Sequence, residues 1–291
     1  MVRTSGYLRA SLGLAFLVFV AGACGGASDG GPESTQSPQS TQSTRSTSTS
    51  STSTTTTTTV AFVPPSRLLF VGDSVAHTLQ DALATEAAAR GMFLWAATRP
   101  GCDILSGVPA IGPGVPVSWA PACDRETPAF LSTALSGARP DVVIAFSTWE
   151  TADRIVDGVF YSFGSPEADA MLLQKFDELR ARMTETGASL VLVTVPPPAP
   201  TGETVPQALE ASTYEHLNDL IRLSARDHPG QVYVADLARI VCPTGPPCPT
   251  DIDGVVLRAP DGGHFDGGGP AWVAPRLLDE IVSRLAGTAS R

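Results

Sequence analysis

The chain has 291 residues, with 19 basic and 29 acidic side chains, a formal net charge of −10 and 43% hydrophobic residues. This length allows one sizeable domain with appended segments. The acidic balance, with no cluster of Lys and Arg, argues against a nucleic-acid partner, because a phosphate backbone requires a basic surface.

The first 23 residues have the features of an export signal. Arg3 and Arg9 make a positive start, and the apolar run 12–20 follows it. That run is shorter than the roughly 20 residues of a transmembrane helix. Small residues then lead into Cys24, a pattern that resembles the lipobox of bacterial lipoproteins, in which the thiol is acylated. We expect a lipid on Cys24 to anchor the chain to a membrane, with ordinary signal cleavage or an uncleaved anchor as the alternatives.

Residues 24–63 form a predicted linker. From about residue 27 the segment is almost entirely Ser, Thr, Gln, Gly and Pro. Such a composition cannot bury enough apolar surface to offset the entropy lost on ordering. We therefore predict a disordered tether, followed by one folded domain over residues 64–288.

Within this domain, short apolar runs alternate with helical patterns. Strands are predicted at 67–71, 92–97, 141–146, 190–195 and 232–234. Helices are predicted to end at Gly91 and Leu135 and to span 167–187, 206–227 and 272–285, with a long loop over 98–123. Continuous apolar strands separated by helices indicate a parallel sheet covered on both faces. The predicted fold is a three-layer, flavodoxin-like α/β domain with about five strands, whose ligands bind at the carboxyl ends of the strands.

The cysteines fit an oxidising compartment. Cys102, Cys123, Cys242 and Cys248 remain after Cys24, an even number. Pairing by proximity joins Cys102 to Cys123 and Cys242 to Cys248, one of three connectivities. A zinc site is the alternative, but the spacing contains no CxxC unit. We expect disulfides and no metal.

The first candidate site follows the first strand, where Gly72-Asp73-Ser74 enters a helix. Ser74 is expected at the helix N-terminus, where free N–H groups and the positive end of the dipole stabilise an oxyanion. The alternative is a simple cap, since Ser and Asp are favoured at the start of any helix. We expect Asp73 to hold the turn through backbone hydrogen bonds.

The second candidate site lies just before the last helix, in Asp261-Gly262-Gly263-His264. A histidine is well suited to take a hydroxyl proton near neutral pH. An aspartate three residues earlier can orient the ring and stabilise the imidazolium, as in a hydrolase triad. The alternative is a surface turn with an exposed His264.

Together the two motifs resemble the signature of the SGNH (GDSL) hydrolase family, which has Gly-Asp-Ser after its first strand and Asp-x-x-His before its last helix. The resemblance covers about residues 66–287. It implies that Ser74 is the nucleophile, His264 the general base and Asp261 its orienting partner.

Two further segments resemble one branch of that family. Residues 258–265, with the sequence Arg-Ala-Pro-Asp-Gly-Gly-His-Phe, and the Cys-Pro-x-Gly-x-x-Cys segment at 242–248 are similar to the SGNH domain associated with acyltransferase-3 type membrane O-acyltransferases. This likeness implies a membrane O-acyltransferase as a partner protein.

The resemblance is incomplete at the oxyanion hole. In the family, Ser74 and the glycine of the second motif each correspond to a donor of the oxyanion hole, and Gly101 matches that glycine best. The third motif, Gly-x-Asn-Asp, is replaced by Phe-Ser-Thr-Trp-Glu at 146–150, so the Asn donor is missing. Losing one donor typically costs about 10²–10³ in kcat, so a replacement donor is expected. Ser147 is the candidate for that role. Trp149 is a candidate for stacking on a sugar ring, with core packing at a strand end as the alternative. His77 is a candidate for lining the cleft, with an exposed helix position as the alternative.

The family resemblance implies an extracytoplasmic serine esterase or O-acyltransferase. Its expected substrates are acyl esters, commonly acetyl esters, of a cell-envelope polysaccharide or peptidoglycan, and we expect no cofactor. The alternative is a catalytically weak or inactive domain on the same scaffold that binds cell-wall carbohydrate or an acyltransferase partner, since fold does not determine function. The missing Asn motivates that alternative.

Overall fold

A computed structural model of the chain describes residues 62–200 and 210–289. The predicted export signal, Cys24 and nearly all of the predicted linker lie outside these residues, as does the start of the helix predicted at 206. Within the described ranges, no helix is long and apolar enough to cross a membrane.

The described residues form an α/β domain with a large parallel sheet and two smaller antiparallel ones. In chain order, the elements are β1 (Arg67–Gly72), α1 (Ser74–Ala89), β2 (Phe93–Thr98), β3 (Val108–Gly112), β4 (Val115–Pro116), α2 (Ala120–Ala138), β5 (Val142–Phe146), a 3₁₀ turn (Trp149–Thr151), β6 (Arg154–Val156), β7 (Val159–Tyr161), α3 (Pro166–Met183), β8 (Ser189–Val193), α4 (Ala211–Asp227), β9 (Val232–Ala235), α5 (Leu237–Val241), β10 (Asp251–Ile252), β11 (Val255–Val256) and α6 (Gly269–Ala289).

The large sheet has the strand order β2-β1-β5-β8-β9, and every neighbouring pair is parallel. Counted within this sheet alone, the order is 2-1-3-4-5, which is the flavodoxin-like order. The predicted fold class is therefore confirmed. From β1 the chain passes to β2, which lies on one side of β1, and then crosses to β5 on the other side of β1. The strand order therefore reverses between β1 and β5. Ligands of such sheets bind at that point.

The strands form here because their apolar runs are continuous. Leu69, Phe70 and Val71 of β1 have no exposed surface, as a strand covered on both faces requires. Helices α1 and α6 pack together, and α3 packs on α4. Right-handed crossovers place these two pairs on opposite faces of the sheet, which completes three layers.

The segment predicted as one long loop, 98–123, differs from that prediction. It contains β3 and β4, which join β6 and β7 in an antiparallel sheet of order β4-β3-β6-β7. The helix that follows begins at Ala120, so Cys123 lies inside it. Proline is tolerated in the first turn of a helix, where its missing N–H costs nothing, so Pro121 does not delay the start. The strands of this small sheet were missed because they are short, and β3 and β4 also contain Gly and Pro.

Both cysteine pairs are disulfide-bonded. Cys102 is joined to Cys123, and Cys242 to Cys248, so the pairing predicted from proximity is confirmed. The first bond ties the loop after β2 to α2. The second closes the turn that follows α5.

Gly72 is required where β1 meets β5. A Cβ atom at this position would lie 1.9 Å from the Phe146 backbone oxygen and 2.4 Å from the Ala76 Cβ. Since both neighbours belong to packed elements, neither can move aside cheaply. The absence of a side chain therefore allows α1 to start directly at the sheet edge.

We predict that Gly72→Ala lowers the free energy of unfolding by about 3 kcal/mol or more, because overpacking at a rigid contact forces backbone shifts. Gly112→Ala is the matched control, since a Cβ there meets nothing within 4 Å. Urea unfolding of both variants measures the difference. Equal stability of the two would contradict the close approach.

Candidate active site

Three polar side chains from distant parts of the sequence meet at the carboxyl edge of the large sheet. Ser74 is the first residue of α1, while Asp261 and His264 lie in the loop before α6. The Ser74 Oγ atom is 2.9 Å from His264 Nε2. On the other side of the ring, His264 Nδ1 is 2.5 Å from Asp261 Oδ2. The structure thus brings together the three residues that the sequence singled out.

The loop before α6 holds its aspartate in an oriented, ionised state. Asp261 Oδ1 accepts the backbone N–H groups of Gly263 at 2.8 Å and His264 at 2.9 Å, which leaves Oδ2 for the imidazole. Burial acts to raise the pKa of Asp261, but the hydrogen bonds from His264 and Gly263 outweigh it and the pKa lies below its usual value. A carboxylate in this position favours the ring tautomer that carries its proton on Nδ1. His264 Nε2 is then free to accept a proton from Ser74.

Asp73 connects the start of α1 to the end of β5. Its side chain has no exposed surface. Its Oδ1 accepts the N–H groups of Val75 at 2.9 Å and Ala76 at 3.3 Å. Its Oδ2 accepts both the N–H and the hydroxyl of Thr148, each at 2.6 Å. The predicted role of Asp73 in holding the turn is confirmed, and the carboxylate also reaches across to a second strand end.

The N-terminus of α1 presents one backbone donor near the Ser74 hydroxyl. The N–H groups of Val75, Ala76 and His77 are all bonded to Asp73, the last through its backbone oxygen at 2.9 Å. The Ser74 N–H has no acceptor among the residues that the structure describes. Since the first N–H groups of a helix lack intrahelical partners, this one is available to an oxygen atom in front of it.

A cleft of about 250 Å³ opens at Ser74 and His264. Thr148 and Trp149 form part of its wall, together with Tyr214. It holds apolar and hydrogen-bonding groups side by side, which suits a small ester with a polar alcohol portion.

A family model described as "SGNH domain (fused to AT3 domains)" matches residues 43–279. The chain belongs to this family. It is accordingly an SGNH-fold domain of the hydrolase and acyltransferase kind. No curated protein matches the sequence.

Solved structures agree with this assignment at the level of fold. The periplasmic domain of a lipopolysaccharide acetyltransferase from Salmonella serovar Paratyphi A is 13% identical, with a TM-score of 0.52 over 75% of this chain and 84% of that one. A putative arylesterase from Agrobacterium tumefaciens strain C58 is 19% identical, with a TM-score of 0.50 over 76% of this chain and all of that one.

The predicted oxyanion donors of this SGNH domain require a correction. Ser147 is buried, and its hydroxyl points to Asp73 Oδ2 at 3.5 Å rather than into the cleft. Thr148 lines the cleft instead, although its hydroxyl also bonds Asp73 Oδ2. Gly101 lies in the turn after β2, where its carbonyl accepts the Trp119 indole N–H at 2.9 Å, and it is not part of the cleft wall. Its contribution to the oxyanion hole stays a prediction.

The two predicted substrate-binding residues have different outcomes. Trp149 lies in the cleft wall and makes an edge contact with Trp119, with ring centroids 5.9 Å apart. His77 is exposed on α1, and its Nδ1 is 2.9 Å from the hydroxyl of Thr98, so the structure does not bring it to the cleft. It lies about one turn beyond Ser74 on α1, and its side chain is directed to Thr98 at the end of β2.

Arg258 is a site residue to which the sequence analysis assigned no role. It is buried beside the cleft, its Nη1 donates to the Gly263 carbonyl at 2.5 Å, and its guanidinium stacks on Phe265 at 4.0 Å. Burial lowers its pKa to about 10, while the nearby Asp261 and Tyr214 act to raise it, so it stays charged at neutral pH. Arg258 thus braces the loop that carries the histidine. The sequence offered one signal for this role, since Arg258 is the only charged residue in the run 254–260 that precedes Asp261.

The other two histidines pair with carboxylates; His216 lies in α4, and His228 directly follows that helix. His216 Nε2 is 2.7 Å from Asp169, and His228 Nε2 is 3.0 Å from Asp177. Asp236 caps α5 by accepting the Arg239 N–H at 3.3 Å.

We predict that Asp73→Asn lowers the free energy of unfolding by about 2 kcal/mol, because hydrogen bonds to a buried carboxylate are strong and the amide replaces one acceptor oxygen with a donor. Thr148→Val, which removes only the hydroxyl bond, should cost about 1 kcal/mol. Chemical denaturation measures both. Asp219→Asn is the control, since the side chain of Asp219 is 78% exposed, and a loss as large as that of Asp73→Asn would refute the assignment.

Proposed function

We propose that this SGNH domain transfers acyl groups, acetyl in the first instance, from esters through a covalent intermediate on Ser74. The observation that carries the proposal is the continuous line of contacts from Ser74 Oγ through the His264 ring to Asp261, at 2.9 and 2.5 Å, at the edge of an open cleft. A hydroxyl, a base and an oriented carboxylate that contact one another in this order form the arrangement of a serine hydrolase.

In the first half of the reaction, Ser74 Oγ attacks the ester carbonyl carbon while His264 Nε2 takes the hydroxyl proton. Asp261 stabilises the imidazolium that forms. The oxygen that becomes negative accepts a hydrogen bond from the Ser74 N–H and lies at the positive end of α1. Collapse of the tetrahedral intermediate breaks the ester bond. The departing alcohol takes the proton from His264 and leaves the acyl group on Ser74.

In the second half, His264 removes a proton from water or from a sugar hydroxyl, and the resulting oxygen attacks the acyl carbon. The bond to Ser74 Oγ then breaks, and that oxygen regains its proton from His264. Water yields the free acid, and a sugar hydroxyl yields a new ester. Both outcomes use the same residues, and access of the acceptor to the cleft decides between them.

We further propose a cell-envelope polysaccharide or peptidoglycan as the substrate. The predicted export signal and the Ser/Thr-rich segment ahead of the domain support an extracytoplasmic location, and the disulfides Cys102–Cys123 and Cys242–Cys248 suit an oxidising compartment. Trp149 in the cleft wall offers an aromatic face to a sugar ring. A membrane O-acyltransferase, the partner that the family description suggests, would supply the acyl group.

We predict that Ser74→Ala lowers kcat/KM for an activated acetyl ester such as 4-nitrophenyl acetate by at least about 10³-fold, because the variant has no nucleophile. Asp261→Asn should also cost several orders of magnitude, since the amide favours the wrong ring tautomer. Ser132→Ala is the control, because Ser132 is an exposed residue of α2 that does not line the cleft, and its hydroxyl donates to the Pro128 carbonyl.

Mass spectrometry after exposure to a fluorophosphonate locates the nucleophile independently of turnover, and we expect the adduct on Ser74. Equal ester hydrolysis by wild type and Ser74→Ala would refute the proposal. Glycan binding that survives Ser74→Ala, with no phosphonate adduct in the wild type, would instead support the non-catalytic binding domain.

We predict that Trp149→Ala raises KM for an O-acetylated oligosaccharide by about tenfold, because stacking on an aromatic face contributes about 1–1.5 kcal/mol. KM for 4-nitrophenyl acetate should change far less, since that ester has no sugar ring. Trp149→Phe, which keeps an aromatic face, is the matched variant and should lie close to wild type. Parallel KM increases for both substrates in Trp149→Ala would contradict a sugar-specific role.

A further inference from the structure

A buried carboxyl group lies directly beneath the candidate active site and has no part in the proposed reaction. Glu150 is the second residue of the 3₁₀ turn after β5, and only 2% of its surface is exposed. Its Oε1 accepts the N–H of Ile104 at 3.3 Å. Its Oε2 is buried and has no hydrogen-bond partner within the described ranges. An acidic oxygen kept from water without a partner is costly, so its presence calls for a physical reason.

Glu150 shares a small internal cavity with Ser147. The side chains that β5, β8, α3 and α4 contribute to this cavity are all apolar. The charged groups that act on Glu150 are Arg154 in β6, Asp103 after β2 and Asp73 at the start of α1. The surroundings of Glu150 therefore hold two further carboxyl groups and one guanidinium.

Arg154 is already engaged by other groups. It forms a fully buried salt bridge with Asp103, and its Nη1 also donates to the Gly107 carbonyl at 3.1 Å. Burial raises the pKa of Glu150 to about 7; the charge of Arg154 and the Ser147 hydroxyl oppose this rise, while Asp103 and Asp73 add to it. Glu150 is consequently protonated in mildly acidic solution and loses its proton to solvent as the pH rises through neutrality.

The Ser147 hydroxyl has one proton and stands between two carboxyl groups. Its Oγ lies 3.5 Å from Asp73 Oδ2, and Ser147 lines the same small cavity as Glu150. When Glu150 is protonated, its O–H can donate to Ser147 Oγ, and the Ser147 hydroxyl is then directed to Asp73. When Glu150 is ionised it competes as an acceptor, because a carboxylate attracts the same hydroxyl proton.

We propose that protonated Glu150 is a positioning residue for Ser74, acting through Ser147 and Asp73. The inference rests on the proposed function, since it concerns how well that nucleophile is placed. Asp73 Oδ2 binds Thr148 in the cleft wall, and Asp73 Oδ1 binds the first N–H groups of α1. Ionised Glu150 withdraws the Ser147 hydroxyl from Asp73, and losing that donor loosens both attachments.

The consequence is a decrease of kcat, with little change of KM, as the pH rises above about 7. Placement of the nucleophile affects the chemical step and therefore kcat. Glu150, Ser147 and Asp73 do not line the cleft, so binding of a small ester, and with it KM, should change little.

The test compares the pH profiles of kcat for wild type and Glu150→Gln between about pH 5.5 and 8.5, with 4-nitrophenyl acetate. Glutamine keeps the size of the side chain and has an N–H donor for Ser147 at every pH. Because His264 is the same in both proteins, the ratio of their kcat values isolates Glu150. Glu167→Gln, an exposed substitution on α3 that removes the same charge, is the matched control and should keep a constant ratio to wild type.

We expect the ratio of wild-type kcat to Glu150→Gln kcat to be flat below pH 6. It should then fall by up to about 30-fold at pH 8.5, because a group with a pKa of about 7 keeps only about one molecule in 30 protonated there. A ratio that stays constant over the whole range overturns the inference. Thermal unfolding at each pH verifies that the compared proteins are folded.

Ser147→Ala provides a second route should Glu150→Gln not fold. This variant keeps Glu150 but removes its connection to Asp73, so its kcat should lack the alkaline decrease seen in wild type. A Ser147→Ala profile that retains the full decrease overturns the inference. The proposed function fails differently: wild type then shows neither turnover at any pH nor a phosphonate adduct on Ser74.

Discussion

The geometry of the candidate site depends on one buried carboxylate. Asp73 binds the first turn of α1 through one oxygen and the end of β5 through the other. It therefore holds together two chain segments that meet where the strand order of the sheet reverses, next to the close contact that only Gly72 permits. Without that double attachment, the Ser74 hydroxyl and N–H would have no defined direction. A carboxylate can make it because each of its oxygens accepts two hydrogen bonds.

The sequence predicted the parts of the structure that depend on short-range patterns. The five long strands were recognisable because burial on both faces makes their residues continuously apolar, and the order of strands and helices then leaves few possible topologies. Ser74, Asp261 and His264 could be predicted because each lies beside glycines at the end of a recognisable element. The small antiparallel sheet had no such pattern, since its strands are only two to five residues long.

The errors at the site arose from orientation rather than from location. Ser147 and Thr148 are adjacent in sequence, yet one faces the buried interior and the other the cleft. Side chains alternate in direction only within a strand, and the sequence does not show that β5 ends at Phe146. His77 was placed wrongly because its contact with Thr98, 21 positions away, exists only in the folded chain. The state of Glu150 could not be predicted either, because it depends on Arg154 and Asp103, which meet only in the folded chain.

The distance between nucleophile and base along the chain has a consequence for biosynthesis. Ser74 and His264 are separated by 190 positions, and the last strand of the large sheet and α6 are made after nearly everything else. A chain still emerging from the ribosome has its Ser74 hydroxyl without the imidazole that lies 2.9 Å from it in the folded domain. The contacts among Ser74, His264 and Asp261 therefore form only after the final segment has been made and has folded, so the candidate site is among the last parts of the domain to be completed.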